Sequence, residues 1–274
     1  MDITPVENHR GREKGVLVYP VYSRRSKGLS VGINLYPQKK SCTFDCPYCE
    51  VFPFANNVIF TLEEMEEDLR SALSSAQEQG IPVKDICFSG NGEPTLSPSF
   101  PGALDLARKI QKEMSPSARV VIITNGTGLL QPHVFSVLKE AAACPSVSIW
   151  LKTDAGTPDW YKKMNRSSIH YNDLVRGIKD FAACSPVTIQ TMLCAVNGES
   201  PPAEEAGAWE SLLCQLAANK AGGVRKVQIY GKARSSPEDP LAEALPADFL
   251  EKRAETLRRI FAEKGTTVPV EVYQ

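Results

Sequence analysis

Three cysteines stand close together in Ser41-Cys42-Thr43-Phe44-Asp45-Cys46-Pro47-Tyr48-Cys49-Glu50, spaced C-x3-C-x2-C. Thiolates this close, wrapped in a loop, can bind three irons of one cubane. A structural zinc site usually takes four protein ligands in paired C-x2-C form, and no fourth Cys or His lies near this run. Three ligands with one position open suit a cluster that offers an iron to a substrate. The chain has eight cysteines, and the other five (Cys87, Cys144, Cys184, Cys194 and Cys214) follow no ligand spacing. They read as small buried hydrophobes. The histidines His9, His133 and His170 form no metal spacing either.

Further polar residues sit where strand-like runs end. One run closes in Phe88-Ser-Gly90-Asn91-Gly92-Glu93-Pro94. Its glycines let backbone approach a ligand closely, and Glu93 adds a carboxylate; a tight turn with a solvated Glu is the plainer reading. Another run closes in Thr124-Asn125-Gly126-Thr127, a turn sequence. In Val147-Ser-Ile-Trp-Leu-Lys-Thr-Asp154, alternation puts Ser148, Trp150, Lys152 and Asp154 on one face, with Val147, Ile149 and Leu151 on the other. Lys152 and Asp154 should then point inward together, as a structural ion pair or as a binding pair. Gln190, Met192, Gln228 and Tyr230 are further inward candidates, with Lys232 and Arg234 at the rim. Arg24 and Arg25 read as an anion clamp or as surface ion pairs.

These residues need a scaffold. Short β-branched runs predict strands at Ser30–Leu35, Asp85–Ser89, Val120–Thr124, Val147–Thr153, Val187–Leu193 and Lys226–Tyr230, with a last one at Thr267–Val272. Helical patterns lie between them. The first opens on a capping box, Thr61 with Glu64, repeats apolar residues at Met65, Leu69 and Leu73, and stops at Gly80. Others are expected at Ala103–Met114, Pro132–Ala143, Tyr171–Ala183, Ala203–Ala221 and Ala247–Lys264. Six β-then-α units predict parallel strands with crossover helices. They are too few for a full eight-fold barrel, so the expected fold is α/β, a partial (β/α)6 TIM-like barrel; a flat doubly wound sheet is the alternative. Either gathers ligands at the carboxyl ends of its strands.

The C-x3-C-x-aromatic-C run after a first strand resembles the signature of the radical S-adenosylmethionine (SAM) superfamily. The resemblance covers about Ser23 to Arg234. It implies a [4Fe–4S] cluster on Cys42, Cys46 and Cys49 whose open iron chelates the amino and carboxylate groups of SAM. Electron transfer then cleaves the sulfonium to a 5′-deoxyadenosyl radical, with the protein supplying orientation and exclusion of water. Tyr48 would pack near the adenine. Gly90, Asn91, Gly92 and Glu93 resemble the GGEP motif that binds the SAM ammonium, and Asn125 marks the turn placed beside the ribose. Lys152 and Asp154 would serve SAM or substrate as catalytic residues, and Arg166 the SAM carboxylate. An electron donor such as flavodoxin or ferredoxin is the implied partner. Together with Val21–Asn34, the Gly90–Leu96 run is similar to a short branch related to wybutosine-synthesis enzymes, which work on tRNA. A glycyl-radical activase, a tRNA-modifying enzyme and a non-enzymatic Fe–S carrier or sensor are the competing readings.

Composition bounds the rest. Length 274, with 42% hydrophobic and 23% charged residues, suits one globular domain. The expected layout is an arm at 1–15, a core at 16–234, and a loop, helix and strand at 235–274. Net charge of −1 gives no strong nucleic-acid signal. No apolar run is long enough to span a membrane, and residues 1–15 carry no signal-peptide pattern, so cytoplasm is expected. No second cysteine cluster follows Arg234 and no cobalamin-binding segment precedes Cys42, so auxiliary domains are not expected.

Overall fold

A computed structural model describes residues 16–218, 223–238 and 241–274. The expected arm at 1–15, and the end of the helix expected to reach Ala221, lie outside these residues. Contacts sort the chain into two compact units: the described part of 1–42 with 51–124 and 144–148, and 43–50 with 125–143 and 149–274.

In the first unit, strand β1 (Val18–Ser23) runs antiparallel to β2 (Gly28–Ile33). β2 continues through helix α1 (Leu62–Glu78) to β3 (Val83–Phe88), and through α2 (Phe100–Met114) to β4 (Arg119–Thr124). β2, β3 and β4 pair in parallel, as expected. α1 starts as its sequence predicts. The Thr61 Oγ1 accepts from the Glu64 N–H at 3.2 Å and donates to Glu64 Oε2 at 3.0 Å. Met65, Leu69 and Leu73 are buried, and Gly80 follows at φ 66°, a left-handed conformation suited to glycine. The sequence reading missed β1. Pro20 lies inside it, and proline is tolerated there because nothing among the described strands pairs with its other edge.

The second unit holds α3 (Pro132–Ala142), then β5 (Val147–Lys152) from Ile149 onward, α4 (Pro158–Met164), α5 (Tyr171–Cys184), β6 (Pro186–Val196), α6 (Ala203–Ala217), β7 (Gly223–Gly231), β8 (Ala242–Ala244), α7 (Ala247–Glu263) and β9 (Val270–Tyr273). β5, β6, β7 and β9 pair in parallel in that order, and β8 pairs antiparallel with β6. α4 and β8 were not expected. α4 is two turns long, too short for an apolar period, although Thr157 followed by Pro158 is a helix-start signal. Its first turn is built well: Thr157 Oγ1 accepts from the Trp160 N–H, and buried Glu205 of α6 accepts from the Gly156 N–H at 2.5 Å and the Thr157 hydroxyl at 2.6 Å. Glu205→Ala should therefore lower stability by about 1–3 kcal/mol, because two half-buried donors lose their acceptor. An unchanged melting temperature would contradict this.

Candidate functional site

Within the first unit, the carboxyl ends of β2 and β3 are stitched together through Asn34. Its Oδ1 accepts from the backbone N–H of Tyr36 and of Asn91, both at 3.1 Å, and its Nδ2 donates to the Val16 carbonyl. The Ser41 N–H donates to the Asn91 carbonyl, and the Glu93 N–H to the Ser41 carbonyl, both at 2.9 Å. This short ladder needs Gly92: a Cβ there would lie 1.8 Å from the Ser41 oxygen. Gly90 is required twice over, by φ 128° and by the Asn34 side chain 2.9 Å from a built Cβ. Gly90, Asn91 and Gly92 thus fix the backbone immediately before Cys42.

Glu93 is 2% exposed, so it is not the solvated turn residue that the plainer reading expected. It caps the 3-10 turn Pro94–Leu96. Its Oε1 accepts from the Thr95 N–H at 3.2 Å and from the Thr95 and Thr124 hydroxyls, both at 2.6 Å. A buried carboxylate is held this way only by directed donors. The Arg24–Lys27 turn joins β1 to β2 at the amino end of β2, opposite the end that carries Asn34. Arg24 and Arg25 are therefore not placed with the strand-end residues of this unit.

Within the second unit, segment 43–50 is held at three points. Asn125 Nδ2 donates to Thr43 Oγ1 at 2.9 Å, its Oδ1 accepts from the Thr127 N–H and hydroxyl, and the Thr43 and Thr127 hydroxyls meet at 2.7 Å. The Asp45 N–H donates to the Asn165 carbonyl at 2.9 Å. Arg234 Nε lies 2.7 Å from Glu50 Oε2. The Cys49 N–H closes a turn on the Cys46 carbonyl, and Asn165 Nδ2 stands 3.5 Å from Cys46 Sγ. Burial pushes the Cys46 thiol up to about 12, against the pull of nearby Lys152.

Lys152 and Asp154 point to one side of β5, as alternation predicts. Lys152 is in register with Gln190, and Gln190 with Gln228, across β6 and β7; Met192 is in register with Tyr230. The Gln190 and Gln228 side chains bond each other at 2.8 Å. Leu151 faces the opposite way, toward Gly126 and α5. Asp154, with its side chain fully buried, accepts from the Tyr48 hydroxyl at 2.5 Å, from Asn165 Nδ2 at 3.0 Å and from the Met192 N–H at 2.9 Å. Lys152 Nζ lies 3.3 Å from Asp154 Oδ2, donates to the Tyr230 hydroxyl at 2.6 Å, and sits 5.0 Å from the centre of the Tyr48 ring. Burial alone would lower the Lys152 ammonium, but Asp154, Tyr230 and Cys46 together hold it above its ordinary value. These partners favour its charged form. Burial, then Asp154, raises the Tyr48 phenol well above the ordinary range.

Arg166, the residue after Asn165, has φ 46° and pairs with Glu238 at 2.6 Å. Sequence reasoning passed over Thr43, Thr124 and Asn165, which hydrogen-bond Asn125, Glu93 and Asp154. A hydroxyl inside the cysteine loop was visible. Asn165 lay in no predicted element, since α4 itself was not expected. Of the other cysteines, Cys87 and Cys194 are buried as expected, but Cys144 and Cys214 are half-buried and Cys184 is exposed where α5 ends. The reading of all five as core residues is corrected accordingly.

The surroundings of Cys46 fit a thiolate ligand of an iron–sulfur cluster. Cys46 and Cys49 are free thiols. A cubane takes one thiolate per iron, so its ligands stand apart. An amide N–H directed at buried Cys46 Sγ is the environment of a thiolate ligand. Among the described residues, no helix is long and apolar enough to cross a membrane.

Residues 39–205, more than half of the chain, match the family model of the Radical SAM superfamily. A UPF0026 protein of Helicobacter pylori is 34% identical over 127 residues, which is 44% of this chain and 38% of that protein. Among solved structures, a radical SAM methyltransferase from Sphaerobacter thermophilus superposes with a TM-score of 0.64 at 16% identity, over 93% of this chain and 68% of that one. SuiB of Streptococcus suis, bound to precursor peptide SuiA, gives a TM-score of 0.64 at 13% identity, over 92% and 51%. At these identities the likeness carries the fold, and it is the expected one: α/β with mostly parallel strands.

Proposed function

This chain belongs to the radical SAM superfamily, and on that premise we propose that Cys42, Cys46 and Cys49 hold a [4Fe–4S] cluster at which SAM is cleaved reductively to act on a substrate of this enzyme's own. The family implies an enzyme, SAM and an iron–sulfur cluster; the cysteine assignment is our reading. The observation that carries it is buried, free Cys46, met by the Asn165 amide inside the matched segment. When bound, the cluster and SAM supply electron transfer and an adenosyl-carbon radical. The chain's own residues orient and enclose. Glu93, aimed by Thr95 and Thr124, is the proposed partner of the SAM ammonium. Tyr48, fixed through its hydroxyl to Asp154, is the proposed neighbour of the adenine. Gly90, Asn91 and Gly92 hold the backbone before Cys42, and Asn125 holds Thr43. Lys152 is a fixed positive charge for an anionic group of SAM or substrate. Arg166 reaches the SAM carboxylate only by exchanging Glu238 for it. The electron comes from a donor of the flavodoxin or ferredoxin kind.

The test is anaerobic reconstitution with iron and sulfide, followed by SAM and a chemical reductant. Formation of 5′-deoxyadenosine together with iron loading is expected. A reconstituted protein that never cleaves SAM would instead be an electron carrier or sensor. Within this reading, Glu93→Ala should leave the cluster in place and weaken SAM binding. A charge-assisted hydrogen bond contributes about 1.5–3 kcal/mol, so affinity should fall on the order of tenfold to a hundredfold. Equal SAM affinity, measured by equilibrium dialysis, would return Glu93 to a purely structural turn.

A further inference from the structure

Asn165 carries more than a helix end. It is 1% exposed, and its Nδ2 has two hydrogens with two partners, Asp154 Oδ2 at 3.0 Å and Cys46 Sγ at 3.5 Å. An ionised carboxylate only accepts, so Asp154 fixes which end of the amide faces it and directs the second N–H toward the sulfur. The backbone of Asn165 is fixed as well. Its N–H donates to the Tyr161 carbonyl at 2.8 Å, its carbonyl accepts from the Asp45 N–H at 2.9 Å, and Arg166 leaves the helix in a left-handed conformation. Of the described side-chain contacts to Cys46 Sγ, this one comes from a neutral donor held on every side. Lys152 and Asp154 place opposite charges near the same sulfur, so their fields partly cancel there. The Tyr48 hydroxyl also reaches this sulfur, but its one hydrogen is given to Asp154 Oδ2 at 2.5 Å, whereas the amide has a second hydrogen for Cys46.

We infer that Asn165 is a positioning residue that sets the reduction potential of the cluster through an N–H···S bond to Cys46. The inference rests on the cluster reading above. Reduction adds negative charge to the cluster sulfurs, so an N–H donor stabilises the reduced form more than the oxidised form and raises the potential. Removing the donor should leave the cluster harder to reduce.

The experiment is a redox titration of the reconstituted full chain without SAM, followed by the electron paramagnetic resonance signal of the reduced cluster. Asn165→Leu is nearly the same size and lacks both N–H groups. It should keep its iron and shift the ratio of reduced to oxidised cluster at fixed poise on the order of tenfold toward oxidised, which is about 59 mV for a one-electron couple. If the leucine side chain displaces the loop and iron is lost, Asn165→Ala carries the same test with room to spare. Thr157→Ala is the control: it frays the start of α4 without touching the amide, and its potential should match the parent chain. An Asn165 variant with full iron and the parent potential overturns the inference, as does a Thr157→Ala shift of the same size. Wild-type chain that takes up no cluster overturns the cluster reading itself, and the inference with it.

Discussion

Replacing Cys46 with alanine should abolish iron loading and SAM cleavage together. A cubane on three protein thiolates loses a third of its anchorage with any one of them, but Cys46 is the buried one and has its own directed donor. The alanine variant would leave a cavity with an orphaned Asn165 N–H where the thiolate stood. Iron and sulfide content after anaerobic reconstitution, and 5′-deoxyadenosine by chromatography, are the two readouts. Cys87→Ala is the matched control, since Cys87 is also buried but belongs to β3 and no ligand spacing includes it. Full iron in the Cys46 variant would sink the assignment. So would a zinc-loaded, iron-free protein that still cleaves SAM.

The second large effect is an asymmetry between Lys152 and Asp154. The sequence treats them as a pair, but the structure does not burden them equally. The Asp154 side chain is 0% exposed and is an acceptor for Tyr48, Asn165 and Met192 as well as for Lys152. Asp154→Ala strands three donors and leaves a cation uncompensated, a loss of about 3–5 kcal/mol by analogy with broken buried pairs. Lys152 keeps 16% of its side-chain surface. Lys152→Ala leaves a carboxylate that still has three hydrogen-bond donors, so it should fold, load iron and cleave SAM while losing turnover of the true substrate. Urea midpoints for both variants, with slopes checked for constancy, decide the matter. Equal destabilisation would make the two a symmetric core ion pair and remove Lys152 from the substrate's reach.

What the sequence conveyed follows from what periodicity can encode. Alternation in a strand has a fixed period of two, so the shared face of Lys152 and Asp154 was legible from eight consecutive residues. Which groups meet that face was not, because Tyr48 lies 106 positions from Asp154 and arrives through tertiary packing alone. Glu93 shows the same limit. The Gly-Asn-Gly-Glu-Pro run places a carboxylate at a strand end, but its burial was not legible, because the Thr124 hydroxyl of β4 that joins Thr95 in holding it lies 31 positions away. The crossover helices were legible because each repeats its apolar residues over several turns, whereas α4 is too short to repeat anything. β1 was hidden by Pro20, which argues against a strand unless one edge is known to be open. The proposal for the three cysteines rests on their spacing, which is read from the sequence without tertiary information.

The three-point attachment of segment 43–50 bears on what the proposed cluster would have to order. Asn125 and Thr127 grip Thr43, Asn165 grips Asp45, and Arg234 grips Glu50, all through contacts within the chain itself. In a zinc finger the ligands are unfolded until the ion arrives, and the binding energy is spent on folding the chain. Here the conformational entropy of that stretch is already surrendered when the second unit folds. On the proposed cluster reading, the ligand stretch therefore owes its conformation to the chain's own side chains as well as to the metal, and Asn125→Ala or Arg234→Ala would loosen it without removing a thiolate.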